Sequence, residues 1–222
     1  WSFIPTPWFQ RDGNAIAHDS QRGVTVLFGG RDFSLQSGTY EFDGSQWTQL
    51  APNPEPALRS QHSMAYDSVR GVTVLFGGTD GNIWFNDTWE WDGDTWTQVA
   101  NGPPVDKKTP IAFDSARGRT IVLADTNGPT ETWEWDGTAW TLEHTGGPNL
   151  IVGARTSMFY MPSIQRTAIM HRDGSVQQWD GTTWSETLPR QRPPRVNNNQ
   201  RNMVWDTARQ RAVAVQDNET WE

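Results

Sequence analysis

The sequence has 222 residues and no cysteine. Disulfides and thiolate metal sites are therefore excluded, and the redox compartment is not written in the chain. It also lacks any apolar run near the ~20 residues that span a bilayer as a helix, so no membrane insertion is expected. No secretory signal layout is visible at Trp1, and the chain reads as a mature or trimmed segment, with an extracellular or periplasmic location slightly favoured. Positive charge is scarce. The 18 Lys and Arg stand against 26 Asp and Glu, for a net charge of −8. That balance argues against nucleic acid or an anionic membrane as a general partner.

Tryptophan, by contrast, is plentiful, with 14 residues, and most of them recur at a fixed spacing. The clearest unit runs from Met64 to Val99. MAYD stops at the turn DSVRG. VTVLF closes on Gly77-Gly78. DTWEW follows a polar loop, and the turn WDGD leads into TWTQV. Short β-branched and aromatic runs separated by Gly, Asp, Asn and Ser predict antiparallel strands joined by tight turns. The unit returns along the chain at a step of about 45 residues, a period that predicts propeller blades.

The apolar strand ending in Gly77-Gly78, then Trp89, then Trp96 resembles a Kelch-type β-propeller blade. That resemblance implies a fold rather than an activity. Kelch-type propellers include partner-binding scaffolds, carbohydrate-acting enzymes and sugar mutarotases. The copper-radical oxidases of this type need a cysteine that is missing here.

The expected architecture is all-β: one domain over 1–222, a five-bladed β-propeller of four-stranded antiparallel blades at 14–50, 62–99, 109–143, 156–188 and 201–222 plus 1–4. Trp1 matches Trp47, Trp96, Trp140 and Trp184 at the start of a fourth strand, and NETWE (218–222) matches NDTWE (86–90). The N-terminal strand Trp1–Ile4 is therefore expected to close the ring on the C-terminal blade. The repeated DSxRG and DG turns read as structural, with Asp closing the turn onto backbone amides and Asp-Gly supplying a hairpin.

The loops joining second to third strands, and blade to blade, vary in length and chemistry, and binding residues concentrate on such loops. Candidate ligand-binding aromatics are Trp84, Phe85, Phe33 and Trp8, suited to stacking on a sugar or anchoring a protein. Candidate cations are Arg31, Arg59, Lys107, Arg155, Arg172 and Arg201, with Arg11 in the same series and His171 beside Arg172, suited to an anionic ligand. His62, His144 and His171 have no metal-ligand spacing, and no cofactor is expected.

The favoured reading is a monomeric, non-catalytic binding or scaffold module for a protein or glycan, since no acid/base pair or nucleophile sits in a motif. One alternative is a carbohydrate-acting enzyme using channel carboxylates among Asp32, Asp80, Asp106, Asp125 and Asp173. The other is an engineered or structural propeller with no ligand of its own.

Overall fold

A computed structural model describes residues 12–125, 128–148, 157–170, 175–187, 202–206, 209, 211–216 and 219–221. The fold is an all-β propeller type built from four-stranded antiparallel blades. The chain divides into two compact units, Trp1–Thr109 and Pro110–Glu222.

In the first unit, blade 1 consists of β1 (Ala15–Asp19), β2 (Val24–Phe28), β3 (Thr39–Phe42) and β4 (Trp47–Leu50). Blade 2 consists of β5 (Ser63–Asp67), β6 (Val72–Phe76), β7 (Asp87–Trp91) and β8 (Trp96–Asn101). Each is a simple meander in sequence order. β2 and β6 carry the continuous apolar run VTVLF because both faces of a second strand are covered. Ala17, Val26, Phe28, Met64, Leu75, Trp91 and Trp96 form one buried cluster shared by the two blades.

The second unit holds blade 3, made of β9 (Ile111–Asp114), β10 (Arg119–Ala124), β11 (Glu131–Trp135) and β12 (Trp140–Thr145). Blade 4 is β13 (Met158–Met161), β14 (Arg166–Met170), β15 (Val176–Trp179) and β16 (Trp184–Thr187). Their shared core is Ala112, Ile121, Leu123, Met158, Ile169 and Trp179.

The last group, β17 (Asn202–Asp206), β18 (Arg211–Gln216) and β19 (Glu219–Trp221), is a three-stranded sheet. The expectation of five blades is therefore corrected: among the described residues the structure has four four-stranded blades, and no closure by an N-terminal strand is shown. Trp1–Ile4 lies outside the described residues, and among those described no fourth strand pairs with β19. The repeat spacing counted first and second strands, and these are present. In the four blades a local Asp-Gly hairpin delivers the fourth strand, whereas in the last sheet the expected strand had to arrive from the far end of the sequence.

The two repeated turns do more than reverse the chain. Asp19 Oδ1 accepts the backbone N–H of Gln21 and Arg22, both at 3.0 Å, and its Oδ2 accepts from Arg22 Nε at 2.6 Å. Arg22 then reaches Glu41 on β3 at 2.7 Å. The same arrangement recurs as Asp67–Arg70–Glu90 and Asp114–Arg117–Glu134. At the third-to-fourth hairpins, Asp43, Asp92, Asp136 and Asp180 each accept two backbone N–H groups of their own turn. The Thr138 hydroxyl and the turn amides hold the Asp136 carboxyl down at about 2. Gly93 in such a hairpin lies under Arg22 of the preceding blade, and a Cβ there would sit 2.9 Å from the Arg22 guanidinium carbon; Gly181 meets Arg117 in the same way.

The blades are tied by tryptophan. Trp91 Nε1 donates to Glu41 of blade 1 at 3.0 Å, and Trp96 Nε1 donates to Thr39 at 2.8 Å. In the second unit Trp179 donates to Glu134 and Trp184 to Thr132, both at 2.8 Å. The two indoles of each hairpin pack obliquely, 5.4 Å apart for Trp91–Trp96 and 5.5 Å for Trp179–Trp184. Their burial removes on the order of 200 Å² of mostly apolar surface per ring, and among the described residues no buried indole N–H is left unmet.

Two predictions follow from this packing. Glu134 is 4 % exposed and holds both Arg117 and Trp179, so Glu134→Ala leaves Arg117 with Asp114 alone and a buried indole donor unmet. It should cost about 2–4 kcal/mol, read as a lower midpoint in urea unfolding. Conversely, Thr73, Thr120 and Thr167 occupy one repeat position, each between a first-strand aromatic and a third-strand Trp in the pairing register. Their hydroxyls are buried without a hydrogen-bond partner. Thr→Val at each should stabilise by about 1 kcal/mol and raise Tm by about 2–4 °C. Thr25→Val, at the position where the hydroxyl meets His18 Nδ1 at 3.3 Å, should show no such gain.

Candidate functional site

Antiparallel meanders place the β1–β2 and β3–β4 turns at one end of a blade. The β2–β3 loop and the loop to the next blade lie at the other. In the first unit this second end is a laced surface rather than a set of free loops. Arg31 N donates to Asp12 O at 2.9 Å and Asp12 N to Arg31 O at 2.7 Å. In blade 2, Thr79 N donates to Ser60 O at 2.9 Å and Ser60 N to Thr79 O at 3.0 Å. The blades are also stitched to each other, by Gly30 N to Arg59 O at 2.9 Å and Gln61 N to Gly13 O at 2.7 Å.

This lacing explains the double glycines. Gly29 and Gly78 have φ of +60° and +94°. A Cβ on Gly29 would lie 2.7 Å from the Arg59 carbonyl oxygen, and one on Gly78 would lie 2.8 Å from the Ser60 carbonyl oxygen and from the His62 Cβ. Only glycine satisfies both the backbone angle and the close approach.

The structure distributes the sequence candidates in three ways. Arg59 is inside, 1 % exposed. Its guanidinium grips Asp87 through two bonds of 2.6 and 2.8 Å, donates to the carbonyls of Gly77 and Ala57, and lies 4.3 Å from the centre of the Phe85 ring. Asp87 also accepts from Trp89 Nε1 at 2.7 Å. Phe85 is half-buried with one face covered by that cation, and Trp84, also half-buried, bridges back to Thr79. These three residues hold the blade 2 loop in place.

Phe33 and Arg31, the second group, are exposed. Phe33 is fully so, at 108 % of its reference area. Lys107 is half-buried, with Nζ 3.6 Å from Asp106. The third group, Trp8, Arg11, Arg155, His171, Arg172 and Arg201, with Asp173, lies outside the described residues.

The candidate carboxylates Asp32 and Asp80 serve their own loops. Asp32 accepts from Ser34 N at 3.0 Å and Gln36 Nε2 at 3.1 Å, and Asp80 accepts from Asn82 N and Ile83 N at 2.8 and 2.9 Å. These backbone donors hold both carboxyls below the usual aspartate value. His62 is buried in the first unit, whereas His144 in the second lies 5.8 Å from Trp179, ring centre to ring centre.

Sequence reasoning passed over Leu58 and Ile83, which are 48 % and 55 % exposed. Ile83 follows the blade 2 loop turn, as Phe33 sits in the blade 1 loop, and Leu58 precedes the Arg59 carbonyl that Gly30 holds. The available signal was an apolar residue inside a polar loop with no repeat counterpart in the core. No protein-family model matches the chain, and no curated protein sequence matches it.

The contrast between buried and exposed cations is measurable. Arg59→Ala should destabilise by about 3–5 kcal/mol, because it leaves the largely buried Asp87 without its cation, and Arg59→Lys should recover only part of this since lysine lacks the two-pronged fork. Arg31→Ala, at the surface, should stay within about 0.5 kcal/mol. Thermal unfolding of the three variants separates these outcomes.

Proposed function

We propose that this chain is a Kelch-type binding propeller without catalysis of its own, docking a protein partner on the loop end of its first unit. The observation that carries the reading is Phe33, fully exposed on a loop whose root is fixed by backbone bonds, with Ile83 exposed on the blade 2 loop and Leu58 exposed next in sequence to Arg59, whose carbonyl Gly30 holds. Exposed apolar side chains on a rigid support mark interaction surfaces. Holding the loop roots in advance lowers the ordering cost of association.

A protein is favoured over a glycan by the chemistry of the tips. Sugar stacking uses open, flat aromatic faces. Here the Phe85 face is covered by Arg59, and two of the three exposed residues are aliphatic. Aliphatic and aromatic tips together suit an apolar pocket on a folded partner.

A photo-crosslinking residue replacing Phe33 should capture a saturable partner from an extract of the native source. Excess wild-type domain should abolish the capture. A Leu58→Asp/Ile83→Asp competitor should be at least ~30-fold weaker, as expected for removing two anchoring side chains, while keeping the wild-type Tm. Equal competition by both proteins would overturn the docking surface, and binding on a glycan array that survives both substitutions would move the site elsewhere.

A further inference from the structure

His62 is fully buried, and neither ring nitrogen has a hydrogen-bond partner among the described residues. It is wedged where the loop ends of blades 1 and 2 meet. Its Cε1 lies 3.0 Å from the position a Cβ on Gly29 would take, its own Cβ lies 2.8 Å from the corresponding position on Gly78, and its ring stands edge-on to Phe28 at 5.6 Å. The short segment 59–62 that carries it makes all four of the backbone bonds described above to Gly30, Gly13 and Thr79. Those bonds fix the roots of the loops bearing Phe33 and Ile83.

We propose that residues 59–62 form an acid-released latch: protonation of His62 unseats the segment and frees the loop end of both blades.

The surroundings of the ring give the direction. The charged groups that face it are Arg59 on its own segment and Lys108 on the approach to β9. Arg59 is neutralised in part by Asp87 of β7. β2 contributes the Phe28 ring and carbonyl and no charge, and the two glycines contribute none. Among the described residues no carboxylate is placed to receive an imidazolium. Burial first, then the two cations, push the His62 pKa down to about 3, against the weaker pull of the Phe28 carbonyl. A group whose pKa is lowered in the closed state favours closure fully above its free value near 6.5. That contribution is lost as pH falls from there toward 3, by up to tenfold in the opening equilibrium for each pH unit.

The register supports a position-specific device. Asn14 and Thr109 occupy the equivalent positions, five residues before Asp19 and Asp114 as His62 is before Asp67. Neither titrates in this range.

The latch regulates the surface proposed above for docking but stands on its own measurement, so a failed partner search leaves it intact. Hydrogen exchange of the Gly30, Ser60, Gln61 and Thr79 amides reads it directly, with Val74 and Leu75 of β6 as internal references. After correction for intrinsic exchange, the opening constant of the four amides should rise roughly 50-fold or more between pH 6 and pH 4, while the β6 amides remain protected. In His62→Asn and His62→Thr the rise should vanish. Loss of protection in parallel with β6, or an undiminished rise in a folded variant, would overturn the latch. Ring-nitrogen NMR of the wild type gives a check that needs no variant: His62 should remain a neutral imidazole at pH 5 in the closed protein, and an imidazolium there would also overturn it.

Discussion

Within each unit, a blade is fastened to the one before it by two indole N–H groups. Trp91 reaches Glu41 and Trp96 reaches Thr39; Trp179 reaches Glu134 and Trp184 reaches Thr132. An indole can do this because it is an apolar body with one polar edge. The body fills the gap between two sheets, and the edge satisfies an acceptor on the far sheet. The acceptor must then be a carboxylate or hydroxyl that tolerates burial, and a buried carboxylate needs a cation. Arg22 and Arg117 supply it, and each is itself aimed by the Asp that closes the first-to-second turn. Turn, strand pairing and blade packing are thus one connected set of charges and donors. That connection accounts for the joint recurrence of Asp, Arg, Glu and Trp in the repeat.

This connectivity also decides what the sequence reveals. Period-two and apolar runs place nearly every strand, since VTVLF and TWEW have few other uses. The Asp–Arg contact of DSxRG is visible from spacing alone. The Glu of TYEF or TWEW and the Trp of the following blade are not, because their partnership crosses about 50 residues of chain. The last sheet exposes the same limit. Repeat spacing counts strands, and β17–β19 are where it puts them. Whether a fourth strand joins depends on pairing between distant segments, and no periodicity encodes that.

The loops were harder still. Arg59 and Phe33 look alike in the sequence as unexplained residues in variable loops. Their fates diverge because Asp87 lies across the blade 2 loop and can bind a guanidinium with two bonds, while blade 1 has Ser37-Gly38 just before the equivalent strand. A cation with a two-pronged partner and an aromatic lid is drawn inward. A phenylalanine on a loop whose Asp32 is busy closing a turn stays exposed. The difference resides in the partners, and these come from elsewhere in the chain.

The close approach that demands Gly29 and Gly78 has a second consequence. A backbone threaded between two glycines is held by sterics and by backbone hydrogen bonds, with Arg59 anchored at one end of the segment. The residue at its centre then has little room to choose its solvation. In blades 1 and 3 that residue is Asn14 or Thr109. In blade 2 it is an imidazole with no hydrogen bond on either ring nitrogen and only the weak pull of the Phe28 carbonyl beside it. Such a site stores a bias toward the neutral ring that is silent above neutrality and grows with every unit of acidity. The same lacing that makes the loop end a firm support for its exposed tips thereby makes it answer to pH at one residue.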